Sequence, residues 1–132
     1  MPQCIVRYWE HVDGLGLYAD DKLRLTSHQS KRLGLSVRPI IAETCSTLNG
    51  PQLTAADVEW IPTPYHNAAS GVSAFSLELR TIGFPERKAK LNREGTLDLK
   101  AKIAHYLPEE LERSLASPWL WVQWIDPDGF HV

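Results

Sequence analysis

Met1-Pro2 is the dipeptide with the most chemical potential in this 132-residue chain. Removing the initiator methionine would leave Pro2 as a secondary amine at the head of a strand-like run, Gln3-Cys4-Ile5-Val6. An α-amino group titrates near pH 8, and an apolar pocket or neighbouring cations lower that value, so such an amine can serve as a base near neutral pH. A retained Met1 would turn the same nitrogen into an amide and abolish its basicity. Arg80 and Arg87 are the cations whose placement suits an anionic reactant, because a guanidinium fork grips a carboxylate or a developing enolate oxygen with two hydrogen bonds. Arg80 falls on the polar face of a strand, where a cross-strand ion pair would account for it equally well. Arg87 falls at the start of a helix, where backbone N–H groups favour anions and a solvated surface arginine is the plain alternative. Tyr65 and His66 lie in a turn-rich loop that could wall a pocket, although an exposed loop histidine ordinarily does nothing more. Trp124 could form an apolar wall, its ordinary role being core or subunit interface.

The elements that position these residues follow from periodicity. Residues 3–9 are β-branched and aromatic and read as a strand. His11 to Leu25 reads as loop with at most a turn of helix. Leu33, Val37, Ile40, Ile41, Thr44 and Leu48 recur at helical spacing, with Ser27 as candidate N-cap and Asn49-Gly50 as stop. Pro39 is expected to kink that helix or divide it, in which case Ser36 would cap a helix over 37–48. Thr54 to Asp57 reads as a turn, Val58 to Ile61 as a strand stopped by Pro62 and Pro64, and Tyr65 to Gly71 as loop. Residues 73–82 alternate clearly: Phe75, Leu77, Leu79 and Thr81 share one face, Ser76, Glu78 and Arg80 the other. Gly83-Phe84-Pro85 opens a second helix with Leu91, Leu99, Ile103 and Tyr106 on its apolar side, weakened at Gly95 and ended by Pro108, with a further short helix over 108–115. Trp119 to Ile125 forms the last strand.

Strand–helix–strand therefore occurs twice, and long crossovers imply parallel pairing within each unit. The expected fold is a two-layer α/β sandwich of tandem βαβ units, a four-stranded sheet with two helices on one face. The length suits a single domain over 1–132. A net charge of −2 with scattered basic residues does not indicate nucleic acid or an anionic membrane as partner. No apolar run is long enough to span a bilayer and the N-terminus has no signal pattern, so a cytoplasmic location is expected. Cys4 and Cys45 then read as reduced, buried thiols. Of the five tryptophans, Trp119, Trp121 and Trp124 crowd the last strand on both faces, which suggests cover by another subunit.

On this pattern the chain resembles the tautomerase superfamily, whose subunits are doubled βαβ units beginning with a catalytic proline. The resemblance rests on Met1-Pro2 before Ile5-Val6, on the passage Leu48-Asn49-Gly50 through Leu53-Thr54-Ala55-Ala56-Asp57-Val58, on Ala74-Phe75 and Ile82-Gly83 around the third strand, and on Trp119-Leu120-Trp121-Val122. Within the superfamily it is most similar to the 5-carboxymethyl-2-hydroxymuconate isomerases. The departures are Pro39, the long 9–26 loop, and Glu86 where related sequences often carry arginine. The resemblance implies a homotrimer acting on a small anionic carboxylate without cofactor or metal. Pro2 would move a proton in a 2-hydroxy-dienoate or 2-keto acid, and Arg87, better placed than Arg80, would hold the carboxylate. Asp57 falls where decarboxylases of the superfamily place a water-positioning aspartate, though an aspartate there is ordinarily a turn residue. The implied alternatives are a decarboxylase or hydrolytic dehalogenase of a three-carbon acid, using Asp57 or Glu78 to activate water, and a non-catalytic trimeric binding protein retaining Met1.

Overall fold

A computed structural model describes residues 2–11, 21–50, 52–66 and 73–126. Its strands are β1 (Gln3–Trp9), β2 (Glu59–Tyr65), β3 (Phe75–Ile82) and β4 (Leu120–Ile125), and its helices α1 (Ser27–Cys45), α2 (Pro85–Lys90), α3 (Arg93–Ala104) and α4 (Glu109–Ser114). The sheet order is β2-β1-β3-β4. β1 pairs parallel with β2, β3 pairs parallel with β4, and the two units meet antiparallel at β1–β3. The fold is the expected α/β arrangement of tandem βαβ units. Among the described residues no helix is long and apolar enough to cross a membrane.

Strand alternation sorts the sheet into two faces. Cys4, Val6 and Tyr8 of β1 lie across from Leu79, Leu77 and Phe75 of β3, and all six are buried beneath the helices. Leu33, Val37 and Ile41 of α1 and Leu99 and Ile103 of α3 close this core from above. Each such fully buried side chain stabilises the fold by roughly 1.5–3 kcal/mol. The opposite face carries Gln3, Ile5 and Arg7 against Arg80, Glu78 and Ser76.

α1 runs unbroken from Ser27 to Cys45 with Pro39 inside it. Its cap is Thr26, not Ser27: Thr26 Oγ1 accepts from the Gln29 N–H and Gln29 Oε1 accepts from the Thr26 N–H, a reciprocal capping box. Pro39 is exposed, so the carbonyl it leaves unpaired one turn earlier is within reach of water. The helix ends four residues before the Asn49-Gly50 stop.

β2 continues through Pro62 and Pro64 to Tyr65. The Glu59 N–H donates to the Pro2 carbonyl, so alternation turns the 61, 63 and 65 backbone groups toward β1 and the 60, 62 and 64 groups away from the sheet. Both prolines thus lack a donor only where none is needed, at the outer edge. The second crossover is three short helices, because Asn92 starts α3 by accepting the Gly95 N–H. Gly95 is therefore part of a helix start rather than a weak middle.

Candidate active site

Pro2 is buried at the N-terminal end of β1 and shares the parity of Cys4, Val6 and Tyr8. Extending the register by one residue sets it between Val58 and Thr81, and Thr81 pairs onward with Trp124 of β4. Val58, Pro2, Thr81 and Trp124 thus form one row across that end of the sheet, on the helix side.

α2 lies over this row and over the end of α1. Arg87 is only 3% exposed. Its Nε donates to the Cys45 carbonyl at 2.8 Å, and Nη1 donates to Thr81 Oγ1 at 2.7 Å and to the Ile82 carbonyl at 3.4 Å. Lys90 Nζ donates to the carbonyls of Glu43 (2.9 Å) and Ser46 (2.7 Å). The last turn of α1 contains no basic residue of its own, so α2 supplies the cations that its orphan carbonyls and dipole favour. Glu86, standing where an arginine was the expected type, accepts the backbone N–H groups of Leu48 (2.9 Å) and Asn49 (3.4 Å).

Arg80 is on the other face. It sits across from Gln3, with Nη2 3.2 Å from Glu78 Oε2, and Arg7 approaches the same oxygen at 3.5 Å. The two arginines singled out by sequence are separated by the thickness of the sheet. Only Arg87 is bonded to Pro2's row. Glu78 lies between Arg7 and Arg80 on the face away from that row. Asp57 holds its own turn: Oδ2 accepts the Thr54 N–H at 2.7 Å and the Thr54 hydroxyl at 3.2 Å.

Tyr65 and His66 are at the far end of the sheet. Tyr65 pairs with Trp9, which at about 3.3 Å per residue is roughly 23 Å along β1 from Pro2. They do not meet Pro2 within one protomer. His66 Nδ1 instead lies 3.5 Å from Glu10 Oε1, and buried Arg24 donates through Nη1 to the carbonyls of Glu10 and His66, both at 3.1 Å. Tyr8 completes this second polar group. Burial pushes its phenol up, the nearby Ser30 hydroxyl opposes that, and the Glu10 carboxylate raises it further. The rest of the expected loop, residues 67–71, lies outside the described residues.

Beneath Pro2's row are Cys4 and Cys45, both buried and free. Burial, with Cys45 beside it, pushes the Cys4 thiol up to about 12. The Cys45 thiol is also raised by burial, against the opposing pull of Arg87, the Thr81 hydroxyl and Lys90. Both are held as neutral, unreactive thiols. Among the described residues no three His, Cys, Asp or Glu side chains converge as a metal site would require.

Lys88 is the group at this end that residue spacing does not reveal. Its ammonium stands 5.8 Å from the centre of the Trp124 ring. No local pattern links two residues that far apart in sequence; only the β3–β4 register brings them together.

No family model matches this chain, and no curated protein matches it. Among solved structures, Pt0534 inactivated by 2-oxo-3-pentynoate is 12% identical, with 94% of this chain and 84% of that one covered at a TM-score of 0.47. Native Ps01740 is 14% identical, with 95% and 91% covered at a TM-score of 0.42. Likeness at this level assigns no role to any residue of this chain.

Proposed function

We propose that this protein is a cofactor-independent isomerase of the tautomerase type, with Pro2 as its acid/base once Met1 is removed. The observation that carries the reading is the position of Pro2. It is buried at the head of a central strand, in one row with Thr81 and Trp124, with the Arg87 guanidinium bonded to that row. The substrate is a 2-hydroxy-dienoate or 2-keto acid. The neutral amine takes the proton of the 2-hydroxyl or of an acidified carbon, and the electron pair moves through the conjugated system. The resulting ammonium returns the proton to another carbon, leaving the amine unchanged. Arg87 acts at the oxygen on which negative charge develops, through Nη2, which bonds to no described residue. Burial of Pro2 supplies the apolar surroundings that favour a neutral amine.

Intact mass and ketonisation of phenylenolpyruvate test this together. The expected mass lacks Met1, and Pro2→Ala is expected to lose at least a hundredfold in kcat. A retained Met1, or full activity in Pro2→Ala, rejects the mechanism.

A further inference from the structure

Away from the Pro2 end, the helix layer holds a cavity of about 350 Å³ between the first half of α1 and the turn after α3. Its floor is apolar, made by the buried side chains of Leu25, Leu33 and Leu107. Its rim is polar, and every polar side chain on it can donate a hydrogen bond. Arg32 stands three residues after Gln29 and four before Ser36, so helical spacing sets the three on one ridge of α1. Tyr106 adds a phenol from the opposite wall. Among the described residues no acidic side chain lines the cavity. We propose that it binds an unbranched aliphatic carboxylate, with Arg32 as the residue that recognises the anionic head. The site does not depend on the isomerase reading: from Arg32 to Cys45, beneath Pro2's row, α1 rises about 20 Å.

The donors are uncommitted. Gln29 Oε1 accepts the Thr26 N–H at 2.8 Å, which fixes the amide and leaves its Nε2 as the open end. The side chains of Arg32 and Ser36 and the Tyr106 hydroxyl make no hydrogen bond or ion pair among the described residues. The first acids of α4, just beyond the cavity, are already engaged: Glu110 lies 3.6 Å from Lys22, and Glu109 pairs with Arg113. The walls are held as well. His105 braces the Tyr106 ring edge-on, with centroids 5.2 Å apart. Leu25 is tied to the end of β1, its N–H donating to the Trp9 carbonyl at 2.9 Å and its carbonyl accepting the His11 N–H at 2.8 Å. An apolar floor with a few convergent donors is the ordinary make-up of a preformed small-molecule site.

The geometry also limits what can bind. One guanidinium offers one positive charge in a planar fork, which matches a monoanionic carboxylate better than a doubly charged phosphate. The tail has a course too. Tyr106 also lines a second cavity of about 370 Å³, together with Ile40, Ala101, Lys102 and His105. Ile40 is about two turns beyond Arg32 on α1, a rise of about 12 Å. A saturated chain running from the ridge past Tyr106 to Ile40 removes apolar surface from water with each methylene. Lys102 at that end is paired with Asp98 at 3.1 Å, which leaves Arg32 as the charge for the head. The expected ligand is a flexible acid about the length of octanoate.

Calorimetry of the full chain with octanoate tests the site, with butyrate as the short-chain control and 1-octanol removing the charge. The parent is expected to bind octanoate with a Kd below about 1 mM, and butyrate at least about tenfold more weakly. Arg32→Ala is expected to weaken octanoate about tenfold and Arg32→Lys about threefold, both leaving 1-octanol unchanged. Ala101→Asp sets a carboxylate beside the tail and is expected to weaken octanoate and 1-octanol alike. Arg32 and Ala101 are exposed on their helices, so these variants are expected to melt as the parent does. Pro2→Ala is expected to bind octanoate with the parent's affinity. Arg32→Ala is expected to ketonise phenylenolpyruvate at the parent's rate. Equal octanoate affinity in the parent and Arg32→Ala overturns the inference, as does a parent that does not bind octanoate. Octanoate binding that is lost in Pro2→Ala overturns it too, because the acid would then sit at the other end of the fold. If octanoate binding depends on Arg32 but the parent does not ketonise, only the isomerase reading falls.

Discussion

Replacing Arg87 by alanine is expected to damage the fold before it damages any chemistry. The side chain is nearly fully buried and makes two short hydrogen bonds, to the Cys45 carbonyl and the Thr81 hydroxyl, and a long one to Ile82. Leaving a buried acceptor unsatisfied costs about 1–3 kcal/mol, and bonds from a charged donor are at the upper end of that range. The two short bonds, together with the void left by the side chain, come to about 3–5 kcal/mol. For a chain of this size that is a fall in Tm of roughly 10–20 °C. Arg80 looks like the same kind of residue in the sequence and is the natural control. Its side chain is 39% exposed and its partner Glu78 keeps Arg7, so Arg80→Ala is expected to cost less than about 1 kcal/mol. Urea unfolding of the parent and both variants, with thermal melts alongside, decides the matter. A loss below about 1 kcal/mol in Arg87→Ala, or equal losses in the two variants, would refute the view that Arg87 ties α2 to the end of α1.

Gly34→Ala sets two effects against each other. Alanine favours the helix by about 1 kcal/mol, but the new Cβ would lie 2.8–2.9 Å from three atoms of the rigid Trp60 ring, and overpacking costs about 1–3 kcal/mol. A lower urea midpoint is expected, and a raised one would show that the ring yields freely. The buried thiols predict an alkaline weakness. Their folded pKa values are raised, so the folded state holds protons that the unfolded state releases, and stability is present below pH 9 and falls as pH climbs toward 12. Cys4→Ala is expected to flatten that fall in unfolding measurements between pH 8 and 11; an unchanged slope would contradict it.

Legibility in the sequence tracked the range of the interactions involved. β1 was readable residue by residue, and so were the two faces of β3, because alternation is a local signal. Pro39 and the pair Pro62 and Pro64 misled for one shared reason. A proline breaks an element only where its missing N–H would have had a partner, and exposure or an edge position is a tertiary fact. The end of α1 was misplaced because its carbonyls are capped by Arg87 and Lys90, more than 40 residues downstream. Tyr65 and His66 were read as a pocket wall because they stand in a turn-rich loop. The parallel β1–β2 register carries them to the other end of the sheet.

The same register explains why the cations of this region cannot be ranked by residue type. Arg80 and Arg87 are seven positions apart and equally suited to an anion by chemistry. Strand parity sends Arg80 to the face where Glu78 and Arg7 already balance one another. The turn at Gly83 then carries the chain back over the helix face, so that Arg87 meets the Cys45 carbonyl of α1 and the Thr81 hydroxyl together. A guanidinium has enough donors to tie a helix end to a strand and still leave Nη2 beside the row that contains Pro2. Lys88, one residue further, is directed outward across Gly83 to Trp124. One short segment, Gly83 to Lys90, thereby does two jobs. It fixes the packing of α1 against the sheet with Glu86, Arg87 and Lys90, and it sets the Lys88 ammonium against the ring of Trp124 at the same end of the sheet.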